Sequence, residues 1–213
     1  MEVKQAVENR RSIRRWKEKA VEQDKLLKIF ELARLAPSWG NVQPWRFIVV
    51  QNKETIRKLA DTAGGQPHIT TAPAIIVCCG YANAFSRKMH RESLKQLMDA
   101  GVMDWTDDFL DNAVLESDEF APYRLGDKVM TIKAGEQIMI AAAYMTLGAV
   151  ALGLGSCWVG AVAAKKIHEI LKLPDDIFVH DLFLIGYPDE DPKPRPRKNI
   201  DKIVFWENYV APE

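Results

Sequence analysis

Residues 138–155 make an 18-residue run without one charged side chain, and this run limits the possible folds of the 213-residue chain more than any other feature. A run of that length either crosses a bilayer or forms a helix buried at the centre of a domain. Its makeup favours burial. Ala and Gly dominate it, Tyr144 and Thr146 interrupt it, and Lys133, Glu136 and Gln137 continue the helical pattern on its N-terminal side. Small residues let a neighbouring element come close, so the run reads as a central helix that also lines an interface with a second copy of the chain. With 47% hydrophobic residues, a chain of this length can cover such a helix within one domain, residues 1–213.

Around the run, periodicity and breakers mark further elements. Residues 3–9 suit a short opening helix, and Asp24 is placed to cap a second one reaching about Ala36, with Leu26, Ile29, Phe30 and Ala33 at helical spacing and Pro37 as its stop. Residues 53–63 read as a helix closed by the Gly64-Gly65 turn. Residues 46–50, 74–79, 178–185 and 203–206 are strand candidates, and the second is apolar throughout, as an interior strand would be. Residues 97–123 differ in character. Their many acids are unrelieved by Lys or Arg and alternate with Met98, Met103, Trp105, Phe109 and Phe120, which fits either a surface excursion with one apolar face or a lid. Residues 192–213 form a C-terminal arm that begins with alternating prolines.

Lys plus Arg equals Asp plus Glu at 29 each, so no global field draws the chain to nucleic acid or to an anionic membrane. Three cysteines form no even framework, and Cys78 and Cys79 read as reduced core thiols. The first fifteen residues lack the apolar segment of a secretory signal, so the expected location is cytoplasmic. The four histidines have no metal-ligand spacing, and no metal is expected. Gly153, Gly155 and Gly160 follow a helix rather than a strand, which excludes a dinucleotide fingerprint, and Ala161-Val162 stand where a P-loop needs Lys and Ser or Thr. Ser156 has no nucleophile-elbow glycines, and Cys157 has no base nearby in sequence.

Two motifs carry positive information. Arg10-Arg11-Ser12-Ile13-Arg14-Arg15 offers guanidinium forks and a hydroxyl, which suit a phosphate. The stretch from Pro37 to Trp45 holds Ser38, Asn41 and Gln43 on a Gly/Pro-shaped loop, which suits the donor-acceptor edge of a flat heterocycle. Either alone reads as an ordinary solvated turn. Together they describe a nucleotide-like ligand.

In type, spacing and order, these motifs resemble the opening of the FMN-dependent nitroreductase family, and the resemblance runs from Arg10 to about Val204, weakest in the acidic excursion. It implies an α+β fold, a central mixed and mostly antiparallel sheet flanked by helices, in an intertwined homodimer that shares its flavin sites. By that resemblance Arg10, Arg11 and Ser12 would meet the FMN phosphate and ribityl chain, with Arg195 and Arg197 completing the phosphate site. Arg14 would lie against the pyrimidine end and tune the flavin as the one catalytic candidate. Asn41 would meet the ring edge, supported by Ser38 and Gln43. The segment with Cys157, Trp158, Val159 and Gly160 would pass the central ring, backbone N–H groups of Val159 or Gly160 approaching N5 and O4. The N-terminal clamp and the Asn41 loop would face the Val159 segment of the partner chain. Family members often carry an acid where Val159 stands, a departure that bears on substrate preference rather than on a backbone donor.

The activity implied is hydride transfer from NAD(P)H through FMN, by a ping-pong mechanism, to a nitroaromatic, quinone or similar conjugated small-molecule acceptor. The acidic excursion adds an expectation of NADH over NADPH. Alternatives are a specialised flavoenzyme of the same family, such as a dehalogenase-like, dehydrogenase or flavin-fragmenting enzyme, and a non-catalytic flavin-binding protein.

Overall fold

The structure is a computed structural model, described for residues 1–209. In chain order its elements are α1 (Val3–Asn9), α2 (Gln23–Arg34), β1 (Trp45–Val50), α3 (Lys53–Asp61), α4 (Pro67–Thr70), β2 (Ala74–Tyr81), α5 (Arg87–Asp99), α6 (Asp107–Phe109), α7 (Asp127–Ala151), β3 (Gly155–Val159), α8 (Ala164–Leu171) and β4 (Ile177–Gly186). The strands form one sheet in the order β1-β2-β4-β3, antiparallel at every pairing. The expected α+β class holds, while the expected mixture of strand directions reduces to one isolated parallel bridge, Ser12 to Ser156.

Helices cover both faces, which explains why β2 has no polar side. On one face Ile75, Val77, Leu182 and Leu184 pack with Ile56, Leu59, Ile69 and Ile167 of the helices that follow β1 and β3. On the other, Ile76, Phe183 and Ile185 pack with Ile29 and Ala33 of α2 and with Ile138 and Met145 of α7. Helix α7 contains the charge-free run. By length and composition it could cross a membrane, but Ala141, Ala142, Gly148 and Ala149 are buried within the fold. Gly148 shows why small residues recur there, since a Cβ at that position would fall 2.5 Å from Leu32 Cδ1.

Local chemistry sets the helix starts. Asn52 caps α3 by accepting from the Thr55 N–H at 3.0 Å, and Ser86 caps α5 by accepting from the Met89 N–H. Asp24 is not the cap of α2: the cap position is Glu22, two residues earlier, and Asp24 sits in the first turn, where a carboxylate still favours the helix dipole.

Two further expectations are corrected. Residues 203–206 are not a strand; a single turn of helix, Ile200–Lys202, precedes an irregular segment with Ile203 and Trp206 exposed. A strand needs a neighbouring edge, and residues 203–206 pair with none among the described residues. The acidic excursion is also not unrelieved in space. Arg91 holds Asp111 at 2.6 Å and Asp107 at 3.2 Å, Arg87 holds Glu116, and Arg124 pairs with Glu116 at 2.7 Å and Asp118 at 2.8 Å. A small core of Leu94, Leu110, Val114 and Leu115 lies beneath it.

Candidate functional site

The two ends of the chain meet. Arg10, Arg11 and Ser12 line a cavity of about 200 Å³ together with Pro192, Lys193, Pro194, Arg195 and Arg197, and among the described residues Glu8 is the one carboxylate in its wall. Arg11 fastens the two segments: its guanidinium donates to Pro192 O at 3.1 Å, to Glu8 O at 2.6 Å and to Arg10 O at 2.9 Å. Those bonds hold Arg11 Nε and Nη1 to backbone, and Arg197 Nη1 likewise donates to Arg195 O at 3.3 Å and Pro196 O at 3.0 Å, so among the described residues Arg10, Lys193 and Arg195 are the cavity's cations without such a bond. Glu190 completes the turn by accepting the backbone N–H groups of Arg14 and Arg15. Sequence reasoning passed over Glu190, because its partners lie some 175 residues earlier.

This clamp is joined to β3 of its own chain. Ser12 bridges Ser156, and the Ile13 N–H donates to Ser156 O at 2.9 Å. The expectation that the N-terminal clamp faces the β3 segment of a partner is therefore corrected: both come from one polypeptide. β3 is an edge strand, and Ser156 O points out of the sheet. Backbone groups alternate along a strand, so the N–H groups of Trp158 and Gly160 share that open edge, while that of Val159 faces β4. From Ser156 to Gly160 the edge runs about 13 Å.

Side chains of the β3 segment do not reach this edge. Cys157 and Val159 are buried in one core. The Trp158 indole packs in the other and donates to Thr146 Oγ1 at 2.9 Å. Only backbone and Gly160 remain available. Burial raises the Cys157 thiol, with Arg14 pulling the other way, and His68 is lowered first by burial and then by Arg14. The exposed Arg14 guanidinium thus acts on both Cys157 and His68, beside β3.

The second motif is a strained, braced loop. Gly40, Asn41 and Gln43 all have positive φ, at 55°, 56° and 44°. Ser38 Oγ accepts the Gln43 N–H at 3.1 Å, and Gln43 Nε2 donates to Asn41 Oδ1 at 3.1 Å, which leaves the Asn41 NH₂ group pointing away from its brace. Gln137 of α7 accepts the Trp39 N–H at 2.9 Å. Below the loop, His90 is 1% exposed, contacts the Trp39 and Phe85 rings edge-on, and leaves its Nδ1 without a hydrogen-bond partner. A Cβ on Gly40 would fall 2.9 Å from His90 Nε2, so this position needs glycine for contact as well as for φ. Nothing in the sequence near residue 90 signalled that role.

The two motifs do not meet within one chain. β1, which follows the Asn41 loop, and β3 are opposite edges of the sheet. Three strand spacings separate them by roughly 14 Å. Trp45 is level with Gly80 and Phe178, and Val159 with Leu182 and Val77, which adds about 10 Å along the strands.

Comparisons with known proteins give the family and the fold. A model of the nitroreductase family matches residues 7–187. The chain is 32% identical over 206 residues to an NADH dehydrogenase of Thermus thermophilus, covering 97% of this chain and 96% of that one. It is 31% identical over 211 residues to an FMN reductase [NAD(P)H] of Bacillus subtilis, covering 98% of this chain and 75% of that one. The solved structure of a nitroreductase-like protein from Streptococcus mutans superposes with a TM-score of 0.80 at 22% identity, covering 95% and 97% of the two chains, and shares the fold.

Proposed function

The chain belongs to the nitroreductase family, and from that premise we propose an FMN-dependent NAD(P)H oxidoreductase, working as a cytoplasmic homodimer on a nitroaromatic, quinone or similar conjugated acceptor. The observation that carries the reading is the convergence of Arg10, Ser12, Arg195 and Arg197, from both ends of the chain, on one cavity beside the open edge of β3. Arg10, Lys193, Arg195 and Arg197 with the Ser12 hydroxyl are a donor set for a phosphate dianion and outweigh the single carboxylate, Glu8, so the residues present fit FMN.

Bound there, FMN would supply the exchange of a hydride equivalent between NAD(P)H and the acceptor. The chain's own residues bind, orient and tune. Arg10, Lys193, Arg195 and Arg197 neutralise the phosphate, and Ser12 orients its oxygens. Trp158 and Gly160 offer N–H donors along the edge, refining the expected pair Val159 or Gly160 to the residue whose N–H is free. Arg14 holds a positive charge where negative charge gathers on reduction. The separation of the Asn41 loop from β3 supports a site completed by the partner's loop, with Asn41 presented by its Ser38 and Gln43 brace. Exposed Val3 and Val7 on α1 and Ile140 and Tyr144 on α7 give an apolar surface suited to that second copy. The paired charges of residues 97–123 remove the ground for favouring NADH over NADPH.

An anaerobic titration of the FMN-loaded protein with NADH and with NADPH tests the reading. Bleaching of the yellow colour by one equivalent per flavin is expected with at least one donor, followed by recovery of colour on adding a nitroaromatic or quinone. Colour that persists through excess of both donors would make the chain a flavin-binding protein without this activity.

A further inference from the structure

Where β2 pairs with β4 the register slips: Cys78 lies opposite Asp181 and Cys79 opposite Val179, so His180 has no partner. Such an extra residue re-aims the side chains around it. Here both His180 and Asp181 face the α7 side of the sheet. The His180 ring lies against Gly135 of α7, and the Asp181 carboxylate lies against Gly160, just beyond the end of β3. His180 Nδ1 is 2.8 Å from Asp181 Oδ2. A carboxylate can only accept, so the ring proton sits on Nδ1 and the pair has one orientation.

The carboxylate is close to fully enclosed, with Asp181 9% exposed, and His180 is its one ion-pair partner among the described residues. Both glycines make the space. A Cβ at Gly135 would fall 2.9 Å from His180 Cδ2, and one at Gly160 would fall 2.9 Å from Asp181 Oδ1. A buried acid is costly to keep, and nothing in the packing of the two main cores requires one here.

We propose that Asp181, held in place by His180, is a tuning residue of the flavin site: its charge, set directly behind Gly160, makes the bound flavin a stronger reductant. The inference rests on the assignment of the Gly160 edge to FMN. A negative charge beside a group that gains electrons disfavours the gain. Arg14, which acts on Cys157 and His68 nearer the clamp more strongly than Glu190 opposes it there, favours it. With Arg10, Lys193, Arg195 and Arg197 at the clamp and Asp181 behind Gly160, the charge along β3 changes from mainly positive at the phosphate end to negative at the Gly160 end. Asp181 does not touch the flavin; it acts past the Gly160 backbone.

The test is a spectrophotometric reductive titration against a reference dye, which reads the reduced-to-oxidised flavin ratio at a fixed poise without any turnover. Asp181→Asn keeps the shape and the acceptor for His180 Nδ1. It should raise that ratio about tenfold, which is about 30 mV for a two-electron couple, with FMN affinity unchanged within threefold. His180→Gln keeps both the carboxylate and a donor to it, and should stay within twofold of the parent. Asp181→Ser is the second charge-removing variant, should the Asn form lose flavin. A ratio within twofold of the parent in Asp181→Asn would overturn the proposal. So would an equal rise in His180→Gln, which would mean packing rather than charge, or loss of flavin from both Asp181 variants. A parent protein that binds no FMN would instead fail at the underlying assignment, and the binding measurement separates that case.

Discussion

Replacing Arg10 and Arg195 together by alanine should weaken FMN binding on the order of 10³-fold. The two residues lie nearly the whole chain apart in sequence yet line one cavity. Each charge-assisted hydrogen bond to a phosphate contributes about 1.5–3 kcal/mol. Two losses therefore give roughly 3–6 kcal/mol, and every 1.4 kcal/mol is tenfold in affinity. Either single variant should lose roughly 10–100-fold on the same basis. A titration following the quenching of flavin fluorescence measures both. Riboflavin, which has no phosphate, should bind the parent and the double variant alike. Arg57→Ala, a charge removed outside the cavity, should match the parent. An FMN affinity unchanged in the double variant would mean that the cavity is not the phosphate site.

The second large effect is on stability against pH. Burial holds the His90 imidazole at about 4, against an ordinary 6.5. The unfolded chain takes up this proton near 6.5, while the folded chain does so only near 4. Between those values the unfolded state binds more protons, so stability falls as the solution is acidified through that window and His90 contributes no further loss below it. One pH unit of difference is worth 1.36 kcal/mol, so this histidine alone should lower stability by about 2 kcal/mol at pH 5 and about 3 kcal/mol at pH 4, relative to pH 7. Urea unfolding of the parent and of His90→Leu, compared across that range, isolates the term from the carboxylates common to both proteins. The difference in free energy between the two should shift in favour of the leucine variant on acidification. Parallel curves would show that His90 is protonated in the folded state at a normal pH.

The consequence reaches the site, because His90 supports the loop of Gly40 and Asn41. Acidification should loosen that loop before it unfolds the sheet.

The parts of this molecule that were legible in its sequence are those written in local pattern. The apolar run of α7, the repeat of Leu26, Ile29 and Ala33 in α2, and the strands β1, β2 and β4 all follow from spacing and from Gly or Pro breakers. The clamp was legible as two basic segments, and their meeting at one cavity followed from the family resemblance rather than from pattern. β3 was described only as a segment, because Gly-Ser-Cys-Trp-Val follows an apolar helix without a change in hydropathy and alternates two cores rather than a core and solvent. The charges of residues 97–123 looked unpaired because their partners Arg87, Arg91 and Arg124 flank the segment. His90 and the His180–Asp181 pair depend on contacts with Gly40, Gly135 and Gly160, none of which is a sequence neighbour. A bulge such as the one at His180 comes from pairing register, which no single strand records.

The central claim is that each flavin rests on one chain's clamp and β3 edge and is completed by the Asn41 loop of a second chain. Sedimentation velocity of the FMN-loaded protein, followed in the flavin absorbance, addresses it most directly. The account predicts that all bound flavin sediments as a dimer with one flavin per chain, and that dilution to single subunits releases it. Flavin that stays bound to a sedimenting single subunit would contradict the account.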